Sequence, residues 1–355
     1  MPLAIGLMSG TSADGVTAAL VSFSGRQVRV LRCRTFPYSP VLRRQVLAAA
    51  QLRTPELSRL NMELGACFAK AALAIGKGRK AAVIGSHGQT VWHGPDQVPP
   101  NTLQIAEPSV IAEAAGIPVV ADFRPRDMAC GGQGAPLVPA FDEFLFARGP
   151  LRAIVNIGGI ANISIVGRGK LWSAFDTGPG NGLMDLAVRL ASKGRRDMDR
   201  NGRLAHQGWA NASLVEKILK HPYFQRRAPK SLDKDSFGEI FLKKHFSPIT
   251  ETRLPDILAT LCLLTARTIA KAVPGNAHET VVSGGGALNP TLMRALMLAL
   301  GPIPLKCSDA YGLPVMAKEA ACFAWLGLRT WQGRPNNCPQ ATGARGRRAL
   351  GKIIP

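Results

Sequence analysis

The chain has 355 residues, 46% of them hydrophobic and 19% charged, with a formal net charge of +21. That length exceeds what one hydrophobic core usually holds, so two domains are expected, and the composition excludes disordered and fibrous classes. The opening MPLAIGLMSGTSADG has no basic n-region, and the apolar stretches 152–166 and 257–273 are broken by Asn156 and Asn162 or by Arg267 and Lys271; neither a secretory signal nor a membrane span is expected, and the cytoplasm is the default compartment.

Seven cysteines (Cys33, Cys67, Cys130, Cys262, Cys307, Cys322, Cys338) are scattered without a C-x-x-C pair and read as free thiols. The basic residues are dispersed apart from clusters at 194–196 and 345–348, with no aromatic interleaving. No specific nucleic acid partner is expected; a positive field instead suits an enzyme with acidic substrates.

In chain order, LAIGLM reads as a buried strand, SGTSADG as a turn and VTAALVSF as a second strand. QVRVLRCRTF alternates like a half-exposed strand, helical periodicity follows over 41–51 and 56–74, and AAVIGSHG is another buried strand. The same pattern restarts near Arg152, where AIVNIGG, IANISIVG and KLWSAFDTG predict a hairpin and a third strand. Helices are predicted over 180–191, 213–219, 256–272 and 317–330, with a strand at 280–282. Strands alternating with helices give an α/β class, and two glycine-bearing halves suggest duplicated domains.

Three glycine clusters fall at strand ends. The loop 9–15 offers hydroxyls and backbone N–H groups for phosphate oxygens, or is an ordinary hairpin turn. It is not a Walker A loop, since no G-K-[ST] follows. Asn156, Gly158 and Gly159 form the second cluster; Gly284, Gly285 and Gly286, at a strand–helix junction, form the third. Asp176, in FDTGPGN, ends an apolar run and fits either a general base or, with Thr177, a helix N-cap. His87 and His93 are six apart with no cysteine nearby, which argues against zinc and for a polar pocket lining. The charged 121–127 run precedes a glycine-rich 131–134 segment read as a constrained hinge, where an arginine could clamp a carboxylate.

GLMSGTSADGV, GSHGQTVWHGP, LQIAEPSVIAEAAGIPVVADFRPRDMACGGQGAPLVPAFD, NIGGIANIS, FDTGPGNGLMD and HPYF…PKS together resemble the anhydro-N-acetylmuramic acid kinase family over nearly the whole chain. The resemblance implies two RNase H-like (actin-like ATPase) domains facing each other across a nucleotide cleft. One would span 1–135, with the tail 335–355 packing back on it, and the other 136–334. It implies ATP and Mg²⁺ as cofactors, a homodimer, and a reaction in which water opens 1,6-anhydro-N-acetylmuramic acid while O6 takes the γ-phosphate of ATP.

Carried over by motif, Gly10, Thr11, Ser12, Ala13, Asp14, Gly15, Val16 and Thr17 would be the first phosphate loop and Asn156, Gly158 and Gly159 the second. Gly284, Gly285 and Gly286 would flank adenosine. Asp176 would be the general base, and Asp14 and Asp176 candidate metal ligands. His87, Gln89, Arg124, Gln133, Gly134, Thr177, Gly178, Asn181 and Glu319 would line the sugar. The wider superfamily places an acid where this chain has Met8, and many relatives have acids near Thr17 and Met316. Two other readings remain: a related actin-fold sugar kinase with a different acceptor, and a non-catalytic nucleic acid binder.

Overall fold

The computed structural model runs from Met1 to Pro355 and describes every residue except Thr11, Pro229, Asp233, Lys234 and the side chain of Asp235. The candidate Thr11 therefore lies outside the described residues. The chain divides into two units, residues 1–145 with 311–355, and residues 146–310.

In the first unit β1 (Leu3–Ser9), β2 (Gly15–Ser24) and β3 (Gln27–Pro37) form an antiparallel meander. β4 (Val83–Gly94) lies parallel to β1, β5 (Asn101–Ile105) pairs antiparallel with β4, and β6 (Val119–Ala121) continues the parallel half. The terminal strand β12 (Lys352–Ile354) closes that edge on β6. β1 is apolar because both of its faces are covered: Ala4, Ile5 and Leu7 are fully buried. β3 is the opposite edge and turns Arg29, Arg32 and Arg34 to solvent, which discourages edge-to-edge pairing.

Helix Thr54–Gly76 covers one face of this sheet with Leu64, Phe68 and Ala72, spaced by four residues. Helix Lys318–Trp331 covers the other, crossing β1 and β4 at backbone distance. A Cβ on Gly6 would sit 1.7 Å from the Ala320 carbonyl oxygen, and one on Gly85 would sit 1.9 Å from that of Phe323. Residues 136–145 and 311–334, expected in the second domain, therefore group with the first unit, where glycines at Gly6 and Gly85 admit the helix. The segment 131–134 is also not a hinge between the halves. It lies inside the first unit, tied down by Asp127, whose fully buried carboxylate accepts from Gly134 N (2.9 Å) and Thr342 Oγ1 (3.0 Å). Gln133 N donates to Thr342 O as well. The charged run before it forms helix Phe123–Ala129 rather than an open loop.

The second unit repeats the plan. β7 (Arg152–Ile157), β8 (Ile160–Gly167) and β9 (Lys170–Pro179) form an antiparallel meander, with β10 (Glu279–Ser283) and β11 (Leu305–Cys307) parallel beyond β7. The order β11-β10-β7-β8-β9 is that of β6-β4-β1-β2-β3, so the duplicated sheet is present in both units. Helices Asn181–Ala191, Leu254–Ala272 and Pro290–Leu300 pack on this sheet through Val188, Leu258, Ile269 and Leu296. The buried Glu279 carboxylate takes Arg152 at 2.5 Å and Lys306 at 2.7 Å, pinning β10 between β7 and β11. In each sheet the candidate residues gather at one end, where the first and fourth strands finish and the second begins. Among the described residues no helix is long and apolar enough to cross a membrane, and all seven cysteines are free.

Candidate active site

In the first unit the loop after β1 is held from below by Gln89. Ser9 Oγ donates to Gln89 Oε1 (2.7 Å), and Gln89 Nε2 donates to Gly10 O (3.3 Å). Ala13 N closes the turn on Gly10 O, with Ala13 itself buried at φ 52°. Asp14 is exposed and paired with Arg43 at 3.3 Å, and the same Arg43 Nη2 donates to Ser12 O. Val16 and Thr17 lie in β2, not in the loop. Val16 is in the core, and the Thr17 hydroxyl meets that of Thr35 at 2.9 Å. The loop that can meet phosphate therefore ends at Gly15. Arg43, which the sequence reading missed, adds a cation beside it.

A second cluster in the same unit surrounds Arg124. Its guanidinium donates to His87 Nε2 through Nε (3.2 Å) and Nη2 (2.9 Å), and to Gly134 O through Nη1 (2.9 Å). His87 Nδ1 lies 3.0 Å from Gly88 O, so the ring is the neutral Nδ1–H tautomer with Nε2 accepting. Burial and the neighbouring Arg124 charge push its pKa down to about 3, and burial lowers Arg124 to about 10. Glu319, in the first turn of helix Lys318–Trp331, is pushed up by burial and drawn back by Lys318 and Arg124. His87 and Gln89, both expected to touch the sugar, are buried and hydrogen-bonded to Arg124 and to the loop. Arg124 and Glu319 are the groups of this cluster with charge to offer a ligand. Gln133 is exposed at its rim, and Gly134 contributes backbone.

In the second unit the turn at Gly158 and Gly159 docks onto the start of helix Asn181–Ala191. Gly180 N and Gly182 N donate to Gly159 O, and Asn181 N donates to Gly158 O. Gly284, at φ 86°, presses its Cα against β7: a Cβ there would lie 2.7 Å from both Asn156 Oδ1 and Ile157 O. Ser283 Oγ donates to Val155 O and reaches Asn156 Oδ1, so Asn156, Gly158, Gly159, Asn181 and the glycines Gly284, Gly285 and Gly286 form one contiguous backbone-rich surface.

Asp176 sits in β9, which continues to Pro179, and the following helix starts from Gly180 without a side-chain cap. The N-cap alternative fails for Asp176 and Thr177 alike: the buried Thr177 Oγ1 donates to Ala161 O instead. Asp176 is held by a distant segment. Its backbone N donates to Lys230 O (3.0 Å), its carbonyl accepts from Tyr223 Oη (2.6 Å), and its Oδ2 accepts from Leu232 N (2.9 Å). Burial raises the carboxyl pKa above the ordinary aspartate value, and the Leu232 hydrogen bond offsets part of that rise. Gly178 leaves room for Phe224, whose ring would meet a Cβ there at 2.9 Å.

A cavity of about 250 Å³ is lined by Phe175 and Thr177, though not by Asp176 between them, and by three cations, Arg226, Lys230 and Lys271. Burial and the charges of Lys271 and Arg226 lower the Lys230 pKa. A larger cavity of about 640 Å³ between helices Leu254–Ala272 and Pro290–Leu300 is walled mostly by apolar side chains and touches none of the candidate residues. Tyr223, Lys230 and Leu232 escaped the sequence reading as site residues. Their only signal was the HPYF…PKS motif, which says nothing of the contact it makes.

Among solved structures, an activator of the 2-hydroxyisocaproyl-CoA dehydratase from Clostridium difficile is similar at 13% identity, 93% of this chain against 96% of that one, TM-score 0.46. A ROK family glucokinase from Streptomyces griseus is similar at 11% identity, with 92% and 99% covered and a TM-score of 0.43. Component A of the (R)-2-hydroxyglutaryl-CoA dehydratase from Acidaminococcus fermentans is similar at 11% identity, with 93% and 98% covered and a TM-score of 0.44. Likenesses this distant add nothing to the strand order described above. The family model for anhydro-N-acetylmuramic acid kinase, by contrast, matches residues 2–355. With the loop after β1, the glycine surface at the ends of β7 and β10 and the fixed Asp176 all inside that match, the chain belongs to the anhydro-N-acetylmuramic acid kinase family.

Proposed function

We propose that the chain uses ATP and water to convert 1,6-anhydro-N-acetylmuramic acid to N-acetylmuramic acid 6-phosphate and ADP, a step of cell-wall sugar recycling, with Asp176 as the general base. The observation that carries the assignment of the base is the fixed, partly desolvated Asp176 carboxylate inside a full-length family match. Water is a poor nucleophile until it loses a proton. Asp176 Oδ2 already accepts from Leu232, so Oδ1 is the oxygen that takes the proton as water adds to the anomeric carbon. The C1–O6 bond breaks, O6 takes the γ-phosphoryl group, and ADP leaves. A positioned base of this kind contributes about 10²–10⁴-fold.

The remaining roles follow the geometry within each unit. The loop Gly10, Ser12, Ala13, Asp14 and Gly15, with Arg43 beside it, takes phosphate oxygens, as do the backbone groups at Gly158 and Gly159. Gly284, Gly285 and Gly286 offer a surface without side chains to the nucleoside. In the first unit Arg124 and Glu319 bind polar groups of the sugar, with Gln133 and Gly134 beside them and His87 and Gln89 in support; in the second unit Gly178 and Asn181 are the candidate sugar contacts, with Thr177 buried in support.

Mg²⁺ would arrive with ATP. Among the described residues no three His, Cys, Asp or Glu side chains group as a metal site, Asp14 is paired with Arg43 and Asp176 with Leu232. Bound with ATP, it would be held mainly by phosphate oxygens and water, as is usual for this ion, and would neutralise charge on the phosphates. A homodimer in the cytoplasm completes the proposal. The test is ADP release with MgATP and 1,6-anhydro-N-acetylmuramic acid, with mass analysis of the sugar. A gain of one phosphate and one water is expected. ADP release with an open hexose such as glucose, and none with the anhydro sugar, would instead favour a related kinase with another acceptor.

A further inference from the structure

We propose that Tyr223 is a positioning residue for Asp176, acting with Lys230 and Leu232 as a strap across the outer edge of β9. The proposal rests on Asp176 being the base. β9 is the last strand of its sheet, so the outward backbone groups of Asp176 have no neighbouring strand. The strap supplies what a strand would: Asp176 N donates to Lys230 O, and Tyr223 Oη donates to Asp176 O at 2.6 Å. The same segment then reaches the side chain through Leu232 N to Oδ2. Three of the residue's polar atoms are thus fixed by one segment, and among the described residues no hydrogen bond engages Oδ1.

Tyr223 is itself held. Lys230 Nζ donates to Tyr223 O (3.2 Å) and stands 4.7 Å from its ring centroid. Phe224 and Phe237 meet the ring edge-on at 5.5 and 5.8 Å. Tyr223 is 4% exposed, and burial raises its phenol pKa, so the proton needed for the hydrogen bond to Asp176 O stays in place at any working pH. A phenylalanine at this position would keep the aromatic packing and remove only that donor. The carboxylate would then sample orientations in which Oδ1 is not aimed at the water, and more water would reach it.

The experiment compares Tyr223→Phe, Asp176→Asn and the double variant in the full chain, with MgATP and 1,6-anhydro-N-acetylmuramic acid. Tyr223→Phe is expected to lower kcat on the order of 10-fold with KM for ATP near wild type. The acid limb of its kcat/KM profile should move down toward the ordinary aspartate range, a shift that mere destabilisation would not produce. In the Asp176→Asn background the same change should cost nothing further, because there is no base left to aim. Wild-type kcat in Tyr223→Phe, or an equal loss in both backgrounds, overturns the proposal while leaving Asp176 as the base. Wild-type activity of Asp176→Asn overturns the reading of Asp176 and the proposal with it. Should Tyr223→Phe fail to fold, Lys230→Gln reads the same strap one step removed, with a smaller kcat loss expected and unchanged kcat overturning it.

Discussion

Replacing Lys318 by methionine tests whether the helix that carries Glu319 is anchored by charge. Lys318 Nζ lies 2.7 Å from Asp142 Oδ1, and both side chains are 3% exposed. Asp142 Oδ1 has no hydrogen-bond partner among the described residues, so the ion pair is what compensates its charge. Methionine fills a similar volume but leaves a buried carboxylate facing apolar atoms. Breaking such a pair from one side costs about 3–5 kcal/mol, whereas replacing both partners by apolar groups is often near neutral. Lys318→Met should therefore lose about 3–5 kcal/mol, and Asp142→Leu/Lys318→Met should lose less than the single variant. Urea unfolding followed by tryptophan emission reads this out. Trp325, in the same helix, is 5% exposed, while Trp92, Trp172, Trp209 and Trp331 are all exposed, so the buried-tryptophan signal reports the first unit. A loss below about 1 kcal/mol in Lys318→Met, or a double variant worse than the single, would refute the anchoring role.

Asp176→Asn keeps an oxygen acceptor for Leu232 N but cannot take a proton, so kcat should fall by about 10²–10⁴ with ATP affinity retained; titration calorimetry with ATP separates the two. Because a base must be deprotonated, wild-type kcat/KM should rise with pH through the Asp176 pKa. Burial sets that limb above the ordinary aspartate value, and the limb should be missing from the residual rate of the Asn variant. Gly284→Ala places a Cβ 2.7 Å from Asn156 Oδ1 and Ile157 O at φ 86°, a strain of about 1–3 kcal/mol. Its expected signature is a raised KM for ATP; an unchanged KM would remove Gly284 from the nucleotide surface. Gly6→Ala meets a backbone oxygen at 1.7 Å and should cost at least about 3 kcal/mol or yield insoluble protein; a soluble, wild-type-stable variant would contradict the helix crossing.

Local signals carried the strands well. β1, β7 and β10 are short, largely apolar runs, β4 opens on one, and β8 and β9 are set off by the turns at Gly158 and 168–169, so period and turn residues sufficed for these strands. What the sequence hid was contact at long separation. Nothing local says that helix Lys318–Trp331 crosses β1, more than 300 residues away, although Gly6 and Gly85 mark where it passes. Likewise the glycines at 131–134 read as a hinge because glycine permits motion, while Asp127 and Thr342 use that permissiveness to lock the segment. Asp176 was singled out as a candidate from FDTG, but the hydrogen bonds that hold it were not, because Tyr223 Oη, Lys230 O and Leu232 N reach it from 47–56 residues downstream. Two candidates carried over by motif to the sugar, Gln89 and Thr177, are buried and hydrogen-bonded to neighbours.

The duplication gives the proposed base Asp176 a counterpart row in the first sheet. In the first sheet Met8, next to last in β1, pairs with Thr17, which pairs with Thr35 on the edge strand. In the second sheet Asn156, next to last in β7, pairs with Asn162, which pairs with Asp176 on the edge strand. Counting from the ends of the first strands, Met8–Thr17–Thr35 and Asn156–Asn162–Asp176 are the same row of the same sheet. The first row is neutral, and its two hydroxyls satisfy each other at 2.9 Å. The second ends in a carboxylate whose pKa burial raises, on a residue whose backbone carbonyl accepts from Tyr223 Oη. Met8, where the wider superfamily has an acid, and Thr17, near which many relatives have one, thus belong to one row, and that row carries no carboxylate in this chain. On the proposal above, proton abstraction belongs to the row that carries the carboxylate, while the loop of the first unit, with Arg43 beside it, offers groups to anions.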